Sequence, residues 1–139
     1  MRHFLWLILA ASLFFPSVGH AQVRPYGAPI ACNQAAYYDA STNGATQLVA
    51  GVTGKIIYIC GYTLFGAGTA NVSLTEGTGT NCGTGTITIS PAFRLVTQIG
   101  VTDPSDYWRG LNTRIAGDAL CINTSAGVAI QAIVYYSQF

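Results

Sequence analysis

Histidine and lysine are almost absent from this chain. The two histidines, His3 and His20, lie near its start, and Lys55 is the single lysine. Serine, cysteine and zinc hydrolases need imidazole to transfer a proton or to hold the metal, so these chemistries are excluded if the first residues are removed. Charged residues make up 8% of the sequence, which excludes the basic surface that nucleic-acid binding requires.

The N-terminal segment has the features of an export signal. Arg2 supplies a positive charge, an apolar run extends from Phe4 to Phe15, and small residues precede a cleavage point after Ala21. The run is shorter than the ~20 residues that a membrane-spanning helix needs, and a retained anchor is the alternative interpretation. We therefore predict a signal peptide at residues 1–21 and a secreted or periplasmic bacterial protein.

Removal of residues 1–21 would change the chemistry of the chain. Both histidines and the only methionine would be lost, and 139 minus 21 leaves 118 residues. Loss of Arg2 reduces the six basic residues to five, which balance the five acidic residues and give a formal charge of zero. We expect a short lead at residues 22–30, one domain at residues 31–139, no nucleic-acid partner and no membrane span in the mature chain.

All four cysteines lie in the mature part of the chain, at Cys32, Cys60, Cys82 and Cys121. An even number in a small exported domain favours two disulfides. The long spacings and the missing histidines exclude a zinc site, and we predict neither a metal nor a cofactor. Three pairings are open. We favour Cys60 with Cys82, which would tie a strand to the loop after its neighbour, and Cys32 with Cys121, which would fasten the N-terminal segment.

Short alternating segments predict β-strands along most of the mature chain. Asn71–Glu76 and Thr86–Ser90 carry apolar side chains at every second position, and Lys55–Tyr62 is rich in β-branched and aromatic residues. No segment has the apolar spacing and the caps of a helix. About seven or eight short strands with glycine turns predict one antiparallel β-sandwich of jelly-roll type, with a small barrel as the alternative.

Two turns are typical of β-hairpins. Ala119–Asn123 and Val128–Tyr136 flank a polar turn that ends in Gly127, and the segment Phe65–Thr69 joins two earlier strands. We therefore expect the Ala119–Asn123 strand to pair with the Val128–Tyr136 strand. We also expect the apolar last strand to lie at a sheet edge, where it would be a template for a second copy of the chain.

Aromatic residues are the best candidates for recognition. Tyr107, Trp108 and Arg109 follow a turn, where they would stack on a sugar or anchor a protein interface, and the alternative is that Trp108 caps the core. Tyrosines also occur in adjacent pairs at residues 37–38 and 135–136. Because successive side chains of a strand point to opposite faces, we expect a tyrosine ring to be displayed at the surface.

Paired carboxylates are the remaining route to catalysis in the mature chain. The five acids are Asp39, Glu76, Asp103, Asp106 and Asp118, and two of them in a cleft would suit glycoside hydrolysis. No motif brings two of them together, so isolated surface carboxylates are the simpler interpretation. We predict no catalytic residue and no enzymatic activity, and a carboxylate-based hydrolase is the remote alternative.

Several structural motifs resemble those of one family. Residues 54–62 and 67–72 look like the central hairpin of small jelly-roll proteins of tailed phages and prophages. Residues 116–128 are similar to their closing strands, and residues 81–85 resemble a cysteine-bearing subgroup that includes exported hypothetical proteins of proteobacteria. The similarity extends from Gln47 to Tyr136.

The resemblance implies a virion-surface or tail-associated role, and it transfers no catalytic residues. This chain departs from the family in its predicted signal peptide and disulfides, which indicate export by a bacterium. We therefore expect a secreted, non-enzymatic structural or adhesive β-sandwich, whose partner is a second copy of itself or a surface glycan. A carbohydrate-binding module that uses Trp108 and nearby tyrosines is the alternative.

Overall fold

The computed structural model describes residues 32–98, 100–103 and 111–139, and these ranges form an all-β domain. The predicted signal peptide and the lead at residues 22–30 lie outside the described residues. The described part contains nine strands and one short 3-10 turn. The elements are β1 (Gln34–Ala40), β2 (Gly44–Val49), β3 (Ile57–Gly66), β4 (Ala70–Thr78), the turn Thr80–Cys82, β5 (Thr84–Thr88), β6 (Phe93–Leu95), β7 (Gly100–Asp103), β8 (Ala119–Thr124) and β9 (Ile130–Gln138).

The strands form two antiparallel sheets that pack as a sandwich. The first sheet has the order β1-β9-β3-β7, and the second has the order β2-β8-β4-β5, with β6 paired separately to β4. The pairing is nested, because β1 pairs with β9, β2 with β8, β3 with β7 and β4 with β5. Nested pairing of eight strands across two sheets is the arrangement of a jelly roll, so the predicted fold is confirmed.

Both predicted hairpins are wrong, because β3 and β4, which flank the Phe65–Thr69 turn, lie in different sheets, and so do the last two strands. β8 lies in the second sheet and β9 in the first, so the polar turn between them carries the chain across the sandwich instead of closing a hairpin. The last strand is also not an edge strand, because β9 lies between β1 and β3. A turn of this composition can close a hairpin within one sheet or carry the chain from one sheet to the other. The packing of the strands against distant parts of the chain determines which of the two forms.

The core lies between the two sheets and follows the alternation of the strands. In β4, for example, Val72 and Leu74 point inward and are completely buried, whereas Asn71 points outward and is exposed. Cross-strand partners continue this pattern, since Leu74 lies opposite Ile122 of β8. The largest apolar side chains with no exposed surface are Ile57, Leu64, Val72, Leu74, Leu95, Leu120, Ile122, Ile130 and Val134.

The two predicted disulfides are present, but their predicted pairing is wrong. Cys32 is joined to Cys60, and Cys82 is joined to Cys121, with Cα atoms 6.1 and 6.3 Å apart. Cys60 belongs to β3 of the first sheet, whereas Cys82 follows β4 of the second sheet. The predicted Cys60–Cys82 bridge assumed that consecutive strands are neighbours in one sheet. The chain instead crosses to the other sheet between β3 and β4, which separates the two cysteines. Each disulfide consequently ties a segment next to a sheet, before β1 or after β4, to a strand of that same sheet.

The buried disulfide covers part of the outer face of the second sheet. Cys121 lies in β8 opposite Thr75 of β4, and the 3-10 turn brings Cys82 back over these strands. Both cysteines and Ala119 form a second apolar cluster, separate from the main core. The turn is also held at Asn81, whose Oδ1 accepts a hydrogen bond of 3.2 Å from the backbone N–H of Gln47.

Paired cysteines agree with an oxidising compartment outside the cytoplasm. Within the described ranges, all four cysteines are oxidised and none is free. The same ranges contain no helix with the length and the hydropathy to cross a membrane.

Candidate functional site

The recognition loop predicted at Tyr107, Trp108 and Arg109 lies outside the described residues, so its role stays a prediction. The expected display of tyrosines is confirmed. Tyr37 is 74% exposed while its neighbour Tyr38 is buried, and Tyr135 is 48% exposed. Both displayed rings belong to the outer face of the first sheet, since Tyr37 lies on β1 and Tyr135 on β9.

A groove runs along β9 on this outer face. Its floor is formed by Gln131 and Ile133 of β9, which point outward because they are two residues apart on one strand. One wall is formed by Tyr37 and Asp39 of β1, whose register partners are Ile133 and Gln131. The groove has a volume of about 400 Å³. It brings together residues from three strands that are distant in the chain.

The opposite wall of the groove comes from β3. Thr63 lies opposite Ile133, and Phe65 lies opposite Gln131, so the wall repeats the register of β1 on the other side of β9. Phe65 is 50% exposed. Two aromatic rings, those of Tyr37 and Phe65, therefore flank a floor that carries an amide.

Gly100 determines where the ring of Phe65 lies. The two residues are register partners, and a Cβ added to Gly100 would lie 2.5 Å from Cδ1 and Cε1 of Phe65. The ring thus lies over the glycine of β7, on the side away from the groove floor. Aromatic side chains commonly cover glycines of an adjacent strand in this way. The contact fixes the position of the ring beside the groove.

Apart from the hydroxyls of its tyrosines, the part of the groove that the structure describes has three polar side chains: an acid, an amide and a hydroxyl. The Nε2 of Gln131 donates a hydrogen bond of 3.4 Å to Oδ2 of Asp39, and the hydroxyl of Thr63 lines the opposite wall. Among the described residues that line the groove, Asp39 is the only charged one. The described basic residues belong to other elements: Lys55 precedes β3, Arg94 lies in β6 of the second sheet, and Arg114 lies in the segment before β8.

The outer face of the second sheet differs in chemistry. Its exposed positions include Asn71 of β4, Asn123 of β8 and Arg94 of β6. The large hydrophobic side chains that the structure describes as exposed are Tyr37, Val52, Phe65, Ile115, Tyr135 and Phe139. None of them belongs to a strand of the second sheet, whereas three belong to strands of the first. The exposed aromatic surface is therefore a property of one face of the sandwich.

Glu76 is a buried structural acid. It has no exposed surface, and its Oε2 accepts hydrogen bonds from the backbone N–H groups of Arg114 and, at 3.4 Å, of Ile115. Oε1 has no hydrogen-bond partner among the described residues. Asp118 is also buried, with 4% exposure, while Asp39 lies on the opposite sheet. Glu76 thus holds the segment before β8 against β4.

We expect replacement of Glu76 by alanine to lower the free energy of unfolding by about 2–4 kcal/mol, because it leaves a cavity and removes the acceptor for two backbone amides. Glutamine keeps the side-chain volume and one acceptor oxygen, so Glu76→Gln should lower the free energy of unfolding by less than half as much. Urea unfolding followed by fluorescence measures both changes. Equal losses in the two variants would contradict the role assigned to Oε2.

Comparison with protein-family models, with curated proteins and with solved structures gives no match. The resemblance to phage jelly-roll proteins therefore stays a prediction. The chemistry of the groove is the remaining guide to function. Rings that flank an amide, a carboxylate and a hydroxyl are suited to recognition, since rings stack on apolar faces and the polar groups orient a ligand by hydrogen bonds.

Most of this site could not be predicted from the sequence. The tyrosine pairs stand out there, whereas Thr63, Phe65 and Gln131 do not. The available signal was the alternation of outward residues, such as Tyr37 with Asp39 and Thr63 with Phe65. That signal says which residues share a face of one strand. It does not say that β1, β9 and β3 are neighbours.

Proposed function

We propose that this protein is an exported, non-enzymatic β-sandwich with an adhesive role, and that it binds a surface glycan in the groove along β9. The observation that carries the proposal is the pair of exposed rings, Tyr37 and Phe65, on opposite sides of a floor that carries Gln131. Sugar rings present apolar C–H faces that stack on aromatic rings, and their hydroxyls bond to amides and carboxylates. The groove supplies both kinds of contact.

Export is supported by two independent features. The disulfides Cys32–Cys60 and Cys82–Cys121 are typical of proteins that fold outside the cytoplasm. The first 21 residues have the composition of a cleavable signal peptide. Together they favour a secreted or periplasmic protein that meets glycans at a bacterial surface.

The absence of catalysis is supported by the chemistry of the mature chain. Cleavage after Ala21 would remove both histidines. Of the acids, Glu76 is enclosed in the core and is used to hold a neighbouring segment. Among the described residues, Asp39 is the one acid that lines the groove. A glycosidase needs two carboxylates on either side of the scissile bond, and the described lining of the groove supplies one.

Binding to immobilised polysaccharides tests the proposal. We expect the wild-type protein to be retained by at least one member of a panel of neutral and charged polysaccharides, and we expect Tyr37→Ala to weaken that binding about tenfold through loss of a stacking ring. Val52→Ala is the matched control, because it removes an exposed apolar side chain that lies outside the groove. The proposal is wrong if no glycan retains the protein, or if both variants bind equally well.

A second copy of the chain is the other partner that an exposed aromatic face would suit. Size-exclusion chromatography with light scattering separates the two outcomes. A monomer that binds glycan supports the proposal. A dimer that Tyr37→Ala dissociates would reassign the face to self-association.

A further inference from the structure

We propose that the groove selects glycans that carry a protonated amino group, so that amino sugars are its preferred ligands. This inference rests on the proposed function, since it names the class of sugar that the same groove would take. Three observations carry it: the position of Asp39, the location of the basic residues, and the rings that lie beside the carboxylate.

The carboxylate of Asp39 is available to a ligand. Asp39 is exposed on the outer face of β1 and lines the groove. Among the described residues its side chain makes one hydrogen bond, which Oδ2 accepts from Nε2 of Gln131 at the long distance of 3.4 Å. The carboxylate is therefore exposed at the groove and is not used up by other described contacts.

No described basic residue neutralises this charge. Lys55, Arg94 and Arg114 belong to segments that do not line the groove. A carboxylate that lacks a cationic neighbour repels uronic acids and sulfated sugars, and it attracts a ligand that brings its own positive charge. The charge of the described groove residues thus disfavours acidic glycans and favours cationic ones.

The neighbouring rings add to the attraction for a cation. Tyr37 precedes Asp39 by two residues on the same face of β1, which places the two Cα atoms about 7 Å apart. Phe65 lies across β9 from Asp39, because both are register partners of Gln131. An ammonium group bound to the carboxylate would therefore come within reach of the ring of Tyr37, where the π system attracts positive charge.

The other groove residues favour a sugar over a lysine side chain as the source of the ammonium group. Gln131 offers an amide in the floor, and Thr63 offers a hydroxyl on the far wall. These groups can bond to the several hydroxyls of a pyranose ring, whereas the apolar stem of a lysine offers them no hydrogen bond. We therefore assign the ammonium group to an amino sugar.

The test compares three oligosaccharides of equal length: an oligomer of glucosamine, its N-acetylated form, and an oligomer of galacturonic acid. At mildly acidic pH and low salt, where the sugar amine is protonated, calorimetry should show that glucosamine oligomers bind about three- to tenfold more tightly than the acetylated form. Galacturonic acid oligomers should bind most weakly. Asp39→Asn should abolish the preference for the amine, because asparagine keeps the shape and the acceptor but loses the charge.

Arg94→Gln is the matched control, since it changes one exposed charge on the second sheet and should leave the preference intact. Equal affinities for glucosamine and its acetylated form, both weakened by Tyr37→Ala, would overturn this inference and leave the proposed function standing. If none of the three oligosaccharides and no member of the polysaccharide panel binds the protein, the proposed function itself is wrong. Binding of a lysine-rich peptide at the affinity of the glucosamine oligomer would overturn the assignment to sugar.

Discussion

Replacement of Cys82 and Cys121 together by alanine should lower the free energy of unfolding by about 4 kcal/mol or more. The disulfide closes a segment with a sequence separation of 39 residues, and loss of that constraint on the unfolded chain alone accounts for about 4 kcal/mol in the chain-entropy model. Both cysteines are completely buried and form an apolar cluster with Ala119. Loss of their packing adds to the entropic term.

The other disulfide provides the matched comparison. Cys32–Cys60 closes a shorter segment, with a separation of 28 residues, and Cys32 and Cys60 are only partly buried. We expect Cys32→Ala/Cys60→Ala to cost about 3.5 kcal/mol, less than the buried pair. Chemical denaturation of the oxidised proteins measures both losses. A smaller loss for the Cys82 and Cys121 pair would contradict the assigned packing, and cross-linked peptides from a non-reducing digest test the pairing itself.

The double variant Tyr37→Ala/Phe65→Ala should lower glycan affinity about 100-fold while it leaves the fold intact. The two rings stand on opposite walls of the groove, so each would contact a different part of a bound oligosaccharide. An aromatic anchor at a binding site commonly contributes more than about 1 kcal/mol, and two such anchors multiply their effects on the dissociation constant. Both side chains are half-exposed or more, so their loss removes little of the core.

The control for this variant is Val52→Ala/Ile115→Ala, which removes two exposed apolar side chains outside the groove. It should leave the affinity unchanged. Thermal unfolding of both double variants should remain within a few degrees of the wild type, which separates a loss of binding from a loss of fold. A loss of less than about threefold in affinity would mean that the rings are not the anchors.

The fold could be predicted from the sequence to the level of its architecture. The alternation of Asn71–Glu76 predicted a strand with one buried face, and β4 has that pattern as far as Leu74, after which Thr75 and Glu76 are both buried. The partners of each strand could not be predicted. In a jelly roll the first strand pairs with the last. No local sequence pattern in β1 or β9 indicates that these two strands pair. The polar turn that ends in Gly127 has the composition of a hairpin. That prediction failed because local composition does not determine which sheet the chain enters next.

The candidate site was harder to predict for the same reason. The sequence predicted that one ring of the pair at residues 37–38 is displayed, because adjacent residues of a strand face opposite ways, but it did not say which one. Its neighbours across the groove depend on the register of β9 against two strands, and a shift of one residue would turn Gln131 inward. The position of Phe65 further depends on a glycine in β7 that no motif connects to it. Trp108, the most suggestive residue of the sequence, lies outside the described residues.

The most direct test of the central claim is to map a bound oligosaccharide onto the protein by NMR. The ligand would be the member of the panel that binds most tightly, titrated into the oxidised, isotope-labelled protein. We predict that the largest amide shift changes lie in β1, β9 and β3 at the residues of the groove, while Asn71 and Asn123 of the second sheet do not change. Shift changes that occur on the second sheet or at residues 107–109, with none in the groove, would contradict the account.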